Sequence, residues 1–182
     1  MTSDKENPIY QHNTLEFVTV AAEYCAFVEQ SESRTRDEFI NTMLKLLPVL
    51  YMKAQLLPTV ESDGEFLPDD HVTEQDYDYV RGNVYGILGK DDEYEDFTYD
   101  MNMQTEETVW KSVSEDLADT YQWLRNFVFA YQQRVEPCMK DALAHVVENF
   151  GPYWGVCLVG ALKRLHHIRY TSDSVYDEED FE

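Results

Sequence analysis

The chain has 182 residues, 43% of them hydrophobic and 14% aromatic, and its 36 acidic against 14 basic side chains give a formal charge of −22. That length supports one domain able to bury roughly 70% of the surface of its unfolded chain, while the acidic balance argues against nucleic acid or an anionic membrane as partner, since both are held by Lys and Arg on phosphates. Three cysteines without a close pair exclude a disulfide framework and a CxxC site, the first residues lack an apolar secretion signal, and no apolar run reaches the roughly 20 residues of a membrane span, so the expectation is a soluble cytoplasmic protein.

Only seven Gly and six Pro occur, and alternating strand-like runs are scarce, which favours helices. The spacing predicts a first helix over residues 13–31, capped by Asn13 with Glu16 reaching back. It carries two apolar stripes, Leu15/Val18/Ala22/Cys25 and Phe17/Ala21/Tyr24/Val28, and so is expected at the centre of the fold. A second helix opens at the capping box Thr35-Arg-Asp-Glu38 and buries Phe39, Ile40, Met43, Leu44 and Leu47. Pro48 either kinks it or starts a further segment to Ala54, because proline lacks the mid-helix N–H. Residues 59–72, with Gly64 and Pro68 among many acids, read as a loop.

The third helix starts at Thr73, with Asp76 three residues on, and is stopped by Gly89. Residues 90–104, containing Asp91-Asp-Glu-Tyr-Glu-Asp96, read as a second acidic loop without regular structure. The strongest periodicity predicts a fourth helix over 105–135, where Trp110, Val113, Leu117, Tyr121, Leu124, Val128, Tyr131 and Val135 recur every three or four positions. Pro137 suits the first turn of a fifth helix. Gly151-Pro152 separates it from a sixth that runs to Tyr170 with Trp154, Leu158, Ala161, Leu165 and Ile168 inside and with Gly155 and Gly160 permitting close approach. The organisation expected is an all-α, single-domain bundle of about six helices: residues 1–12 a flexible N-terminus, 13–170 the helical domain, and 171–182 a disordered acidic tail.

Charge is unevenly spread. Residues 61–100 carry −12 and the tail −6, whereas residues 137–170 carry +2. The acids Asp69, Asp70, Asp91, Asp92, Glu93, Glu95 and Asp96 are therefore the candidate interaction residues, either as a solubilising face or as a surface for a basic protein. The bases near the end of the sixth helix complement its macrodipole, and the acidic tail folding back onto them is the competing idea.

Motifs for chemistry are sparse. Neither GxxxxGK[ST] nor GxGxxG is present, no Glu-x-x-His or HExxH occurs, and the acidic runs lack the EF-hand spacing, so no cofactor, metal ligand or catalytic residue is assigned. Cys138, just after Pro137, is either a thiol activated by a helix start or a buried packing residue, and the second reading is preferred. Trp154, Arg164, His166 and His167 form a candidate pocket on the last helix, although adjacent His residues point about 100° apart and cannot readily share one ion.

Phe150-Gly-Pro-Tyr-Trp-Gly155 through Ala161-Leu-Lys-Arg-Leu-His166, together with Phe17-Val-Thr-Val-Ala-Ala-Glu-Tyr-Cys25 and the Leu-Leu-Pro-Val-Leu-Tyr51 run, resembles a family of uncharacterised bacterial helical proteins known as a domain of unknown function. The resemblance spans most of residues 10–170. It implies an all-helical bacterial cytosolic protein and supplies no activity, cofactor or catalytic residue. Leu67-Pro-Asp-Asp-His71 is similar to the Pro-x-Asp-His turn of helical chaperones that mature redox enzymes, but it lies early in the chain and Leu67 replaces the Glu usual before the Pro. Three functional readings stand: a non-enzymatic interaction or regulatory protein, a dedicated chaperone, and an enzyme with a carboxylate/histidine pocket.

Overall fold

The computed structural model describes residues 7–171 apart from 101–104, with the side chains of 98–100 left out. Six helices and one hairpin follow in chain order. They are α1 (His12–Glu29), α2 (Arg36–Gln55), α3 (Glu74–Leu88), β1 (Glu93–Asp100), β2 (Thr105–Ser112), α4 (Val113–Gln132), α5 (Glu136–Glu148) and α6 (Gly155–Thr171). The expected all-α single-domain bundle is what forms, with a two-stranded antiparallel sheet added at one side. The tail expected over 171–182 lies, after Thr171, outside the described residues.

The centre is α4, not α1. α4 packs against α1, α3, α5 and α6, while α2 closes the far side against α1 and α6. Of the long periodic stripe, Val113, Leu117, Tyr121, Leu124 and Val128 are buried, as their spacing requires. α1 buries its Phe17/Ala21/Tyr24/Val28 stripe and Cys25, with Val18 and Ala22 half-buried and Leu15 exposed, so both stripes pack, on α2 and α4, although α1 does not hold the centre. Two buried polar atoms are satisfied across elements: the Tyr24 hydroxyl donates to the Leu117 carbonyl and the Trp154 indole N–H to the Val146 carbonyl, both at 2.8 Å.

Local signals set most helix ends. Thr35/Glu38 and Thr73/Asp76 form reciprocal capping boxes, and Gly89 ends α3 at a positive φ of 56° that other residues adopt with strain. Pro48 lies inside an unbroken α2. Asn13 does not cap α1: the helix starts at His12 after Gln11, and Asn7 instead caps a short turn, Pro8–Tyr10. Part of the stretch expected to be flexible is thereby packed, since Ile9 is fully buried and its carbonyl accepts from the Tyr131 hydroxyl. Phe150–Trp154 forms a single π turn between α5 and α6, and Gly155 allows its close contact with Phe150.

The largest departure is at 90–112. The second acidic loop and the first two turns expected of the fourth helix are a hairpin, paired from Glu93↔Ser112 to Asp100↔Thr105. Helix α4 begins only at Val113, where the Ser112 hydroxyl accepts from the Glu115 N–H. Trp110, read as the top of the helical stripe, is a strand residue and is exposed.

Candidate functional site

In the 91–96 segment three of the five carboxylates are occupied. Asp91 accepts from Arg36 at 2.7 Å and its carbonyl accepts from the Arg164 Nε at 3.0 Å, so one residue ties α2 and α6 to the end of α3. Asp92 is 1% exposed and accepts from both the N–H and the hydroxyl of Ser114 in the first turn of α4. Burial pushes its carboxyl above the usual range despite those two bonds. Asp96 lies between Lys111 and Lys163, at 3.9 and 3.5 Å. Only Glu93 and Glu95 of the run are exposed.

Beside this segment lies a buried polar cluster. Tyr94 donates its hydroxyl to Asp116, and Gly160 is the reason it can, because a Cβ there would collide with the Tyr94 oxygen. Burial raises the Asp116 carboxyl to about 6, partly opposed by the Tyr94 hydrogen bond. Cys157, next to Asp119, is pushed up to about 12 by burial and the two nearby carboxylates, Asp116 and Asp119. Cys25 and Cys138 are likewise raised by burial, so all three thiols are the opposite of activated nucleophiles. The cluster fastens β1 to α4 and α6.

The 59–73 loop differs. It is pinned at two points by side chains of the bundle. Buried Asp141 on α5 accepts from the Ser62 hydroxyl and from the Phe66 N–H at 2.7 Å. Asn126 on α4 accepts the N–H groups of His71 and Val72, both at 2.9 Å, and donates to Asp70 at 3.0 Å. His71 stacks on Phe129 with ring centroids 3.9 Å apart. Between and around these anchors Glu61, Asp63, Glu65, Asp69 and Asp70 are exposed.

The loop separates two concavities. One, of about 560 Å³, has Glu61, Asp63, Glu65 and Glu136 on its walls with Lys140 the base among its lining residues. The other, of about 210 Å³, lies between α4 and α5. Phe127, Ala142 and Val146 line its apolar part, Trp123 and His145 stand beside them with centroids 5.1 Å apart, and Asp69 and Asp70 stand at the loop side. Tyr153 extends this aromatic wall by stacking on Trp123.

The proposed pocket on the last helix does not assemble. Trp154 is wholly buried in the aromatic core beside Phe17, and Arg164 is committed to Asp91. His166 stacks on Tyr170 at the edge of an apolar groove with Leu44, Pro48 and Val159, and His167 is exposed on an adjacent face. Among the described residues no three His, Cys, Asp or Glu side chains converge to hold a metal ion, and no helix is long and apolar enough to cross a membrane. Sequence reasoning found Asp69 and Asp70 but missed Trp123, Asn126 and His145, which face the loop only through the packing of α4 on α5.

Comparison with known proteins agrees with this fold. The crystal structure of protein BF1032 from Bacteroides fragilis is similar at a TM-score of 0.80 and 42% identity, over 90% of this chain and 96% of that one. No curated protein matches the chain. A family model, described as a domain of unknown function and designated DUF5063, matches residues 8–171, and the chain belongs to that family.

Proposed function

We propose that this is a non-enzymatic binding protein that presents the pinned acidic loop between α2 and α3 to a basic protein partner. The observation that carries the reading is the combination of fixed backbone and free charge. Asp141 and Asn126 hold the loop in place while five carboxylates stay exposed, in a stretch, residues 54–80, that has no Lys or Arg. A loop already ordered loses less entropy on binding, and a one-signed surface steers a cationic partner toward it.

The non-enzymatic side of the reading is supported by where the perturbed groups lie. Asp92 and Asp116 are engaged by Ser114 and Tyr94, the thiols are pushed away from ionisation, and among the described residues the groove beside His166 is lined by no carboxylate. The reading favours the loop over the 91–96 run, because Asp91, Asp92 and Asp96 already serve the fold and only Glu93 and Glu95 of that run are exposed.

Binding of a fluorescein-labelled Arg-rich peptide, followed by anisotropy, tests it. A loop variant, Glu61→Gln with Asp63→Asn, Glu65→Gln and Asp69→Asn, is compared with a control of equal charge, Glu23→Gln with Glu106→Gln, Glu107→Gln and Glu148→Gln. Four partly screened charges predict a loss of about tenfold for the loop variant, less for the control, and a steep fall with salt in the wild type. Equal weakening in the two variants would mean that only net charge is read and would overturn the assignment.

A further inference from the structure

We infer that the pocket between α4 and α5 is the anchor site of the basic partner, taking one apolar side chain of a partner segment while a neighbouring Lys or Arg of that segment lies against Asp69 and Asp70. This rests on the reading of the loop as a partner surface, and it adds what the partner's contact segment must look like.

The size and the ordering of the lining both argue for it. About 210 Å³ is below the roughly 300–1,000 Å³ typical of cofactor and drug-sized ligand sites, and it suits a single Leu- or Met-sized side chain. Phe127 and Val146 are buried and apolar, whereas the acids stand on the loop side and, among the described residues, no Lys or Arg lines the pocket. A Lys or Arg head driven inward among Phe127, Ala142 and Val146 would be stripped of water with no carboxylate beside it. Turned the other way, with the apolar group inside and the cation at Asp69 and Asp70, both parts find their chemistry, whereas an anionic ligand would face the two carboxylates. Asn126 fixes this arrangement in advance by holding Asp70 and the two following N–H groups.

The partner segment is therefore basic with an apolar residue set among the cations, which separates it from a purely polycationic chain. The probe is a labelled peptide, Gly-Arg-X-Arg-Gly-Lys-Gly, with X as Leu or Ala, titrated into the wild-type protein. Burial of the larger side chain predicts that X as Leu binds about tenfold tighter. That preference is expected to vanish in Trp123→Ala and in Ala142→Met, which fills the space, each first matched to wild type by circular dichroism. The peptide series needs no folded variant to be decisive. Loop-dependent binding with equal affinity for Leu and Ala would overturn the pocket assignment alone. Binding unaffected by the loop substitutions would overturn the partner surface and the pocket with it.

Discussion

Two acidic stretches with five carboxylates each, residues 61–70 and 91–96, come to opposite ends in this molecule. In the second, Asp91, Asp92 and Asp96 are drawn inward to Arg36, Ser114 and the Lys111/Lys163 pair, so their charge holds helices and hairpin together. In the first, Asp141 holds Ser62 and the Phe66 N–H, Asn126 holds Asp70 and the two N–H groups that follow, and the acids are exposed. A run of carboxylates is therefore a surface only when something other than its own charge secures the chain. What separates the two is the partner each backbone meets, which composition does not record.

Asp92→Ala should break the inward-turned stretch most severely, since it deletes the acceptor of two buried Ser114 bonds. The expected cost is about 3 kcal/mol, read as a fall in Tm of about 6–12 °C by calorimetry. A fall of a degree or less would place Asp92 outside the framework.

The buried cluster next to that stretch should show itself through pH. Asp116 ionises at 3.8 in an ordinary setting and at about 6 when folded, so the folded protein takes up its proton first as pH falls. The cost of the buried charge is present above about pH 6 and is relieved toward pH 4, amounting to something on the order of 3 kcal/mol. Urea unfolding at the two pH values should show wild type gaining stability at low pH relative to Asp116→Asn. Parallel pH profiles would contradict the burial of a charge there. Gly160→Ala, which displaces the Tyr94 hydroxyl from Asp116, should cost about 2 kcal/mol in the same assay.

Much of the bundle could be read in the residues. The capping boxes at Thr35 and Thr73, the stop at Gly89 and the stripe from Val113 to Val128 act within a turn or two of chain, and they are where they were expected. The hairpin was hidden because its strands are rich in acids, and because Trp110 happens to continue the spacing of the α4 stripe. Ser112-Val-Ser-Glu115 was the available sign that the helix starts after β2, not before it. Asp69 and Asp70 could be picked out as exposed acids, but the pocket they border could not. Asn126 meets the loop from 54 to 56 residues away, and only the packing of α4 on α5 brings Trp123 and His145 to the same cavity.

The outward-facing stretch should respond more gently. Asn126→Ala removes the acceptor for two backbone N–H groups and should cost about 1 kcal/mol, with faster hydrogen exchange confined to residues 67–72. Asp69→Ala should leave stability within about 0.5 kcal/mol, because it deletes a charge that faces water. A cost as large as that at Asp92 would erase the distinction between the two stretches.

The most direct measurement is carboxyl footprinting with a water-soluble carbodiimide and mass spectrometry, on the protein alone and with the Arg- and Leu-containing peptide. The account predicts rapid labelling of Glu61, Asp63, Glu65 and Asp69 that the peptide suppresses, and slow labelling of Asp91, Asp92 and Asp96 whether or not it is present. Equal labelling of the two stretches, or a loop that the peptide leaves unprotected while it still binds, would contradict it.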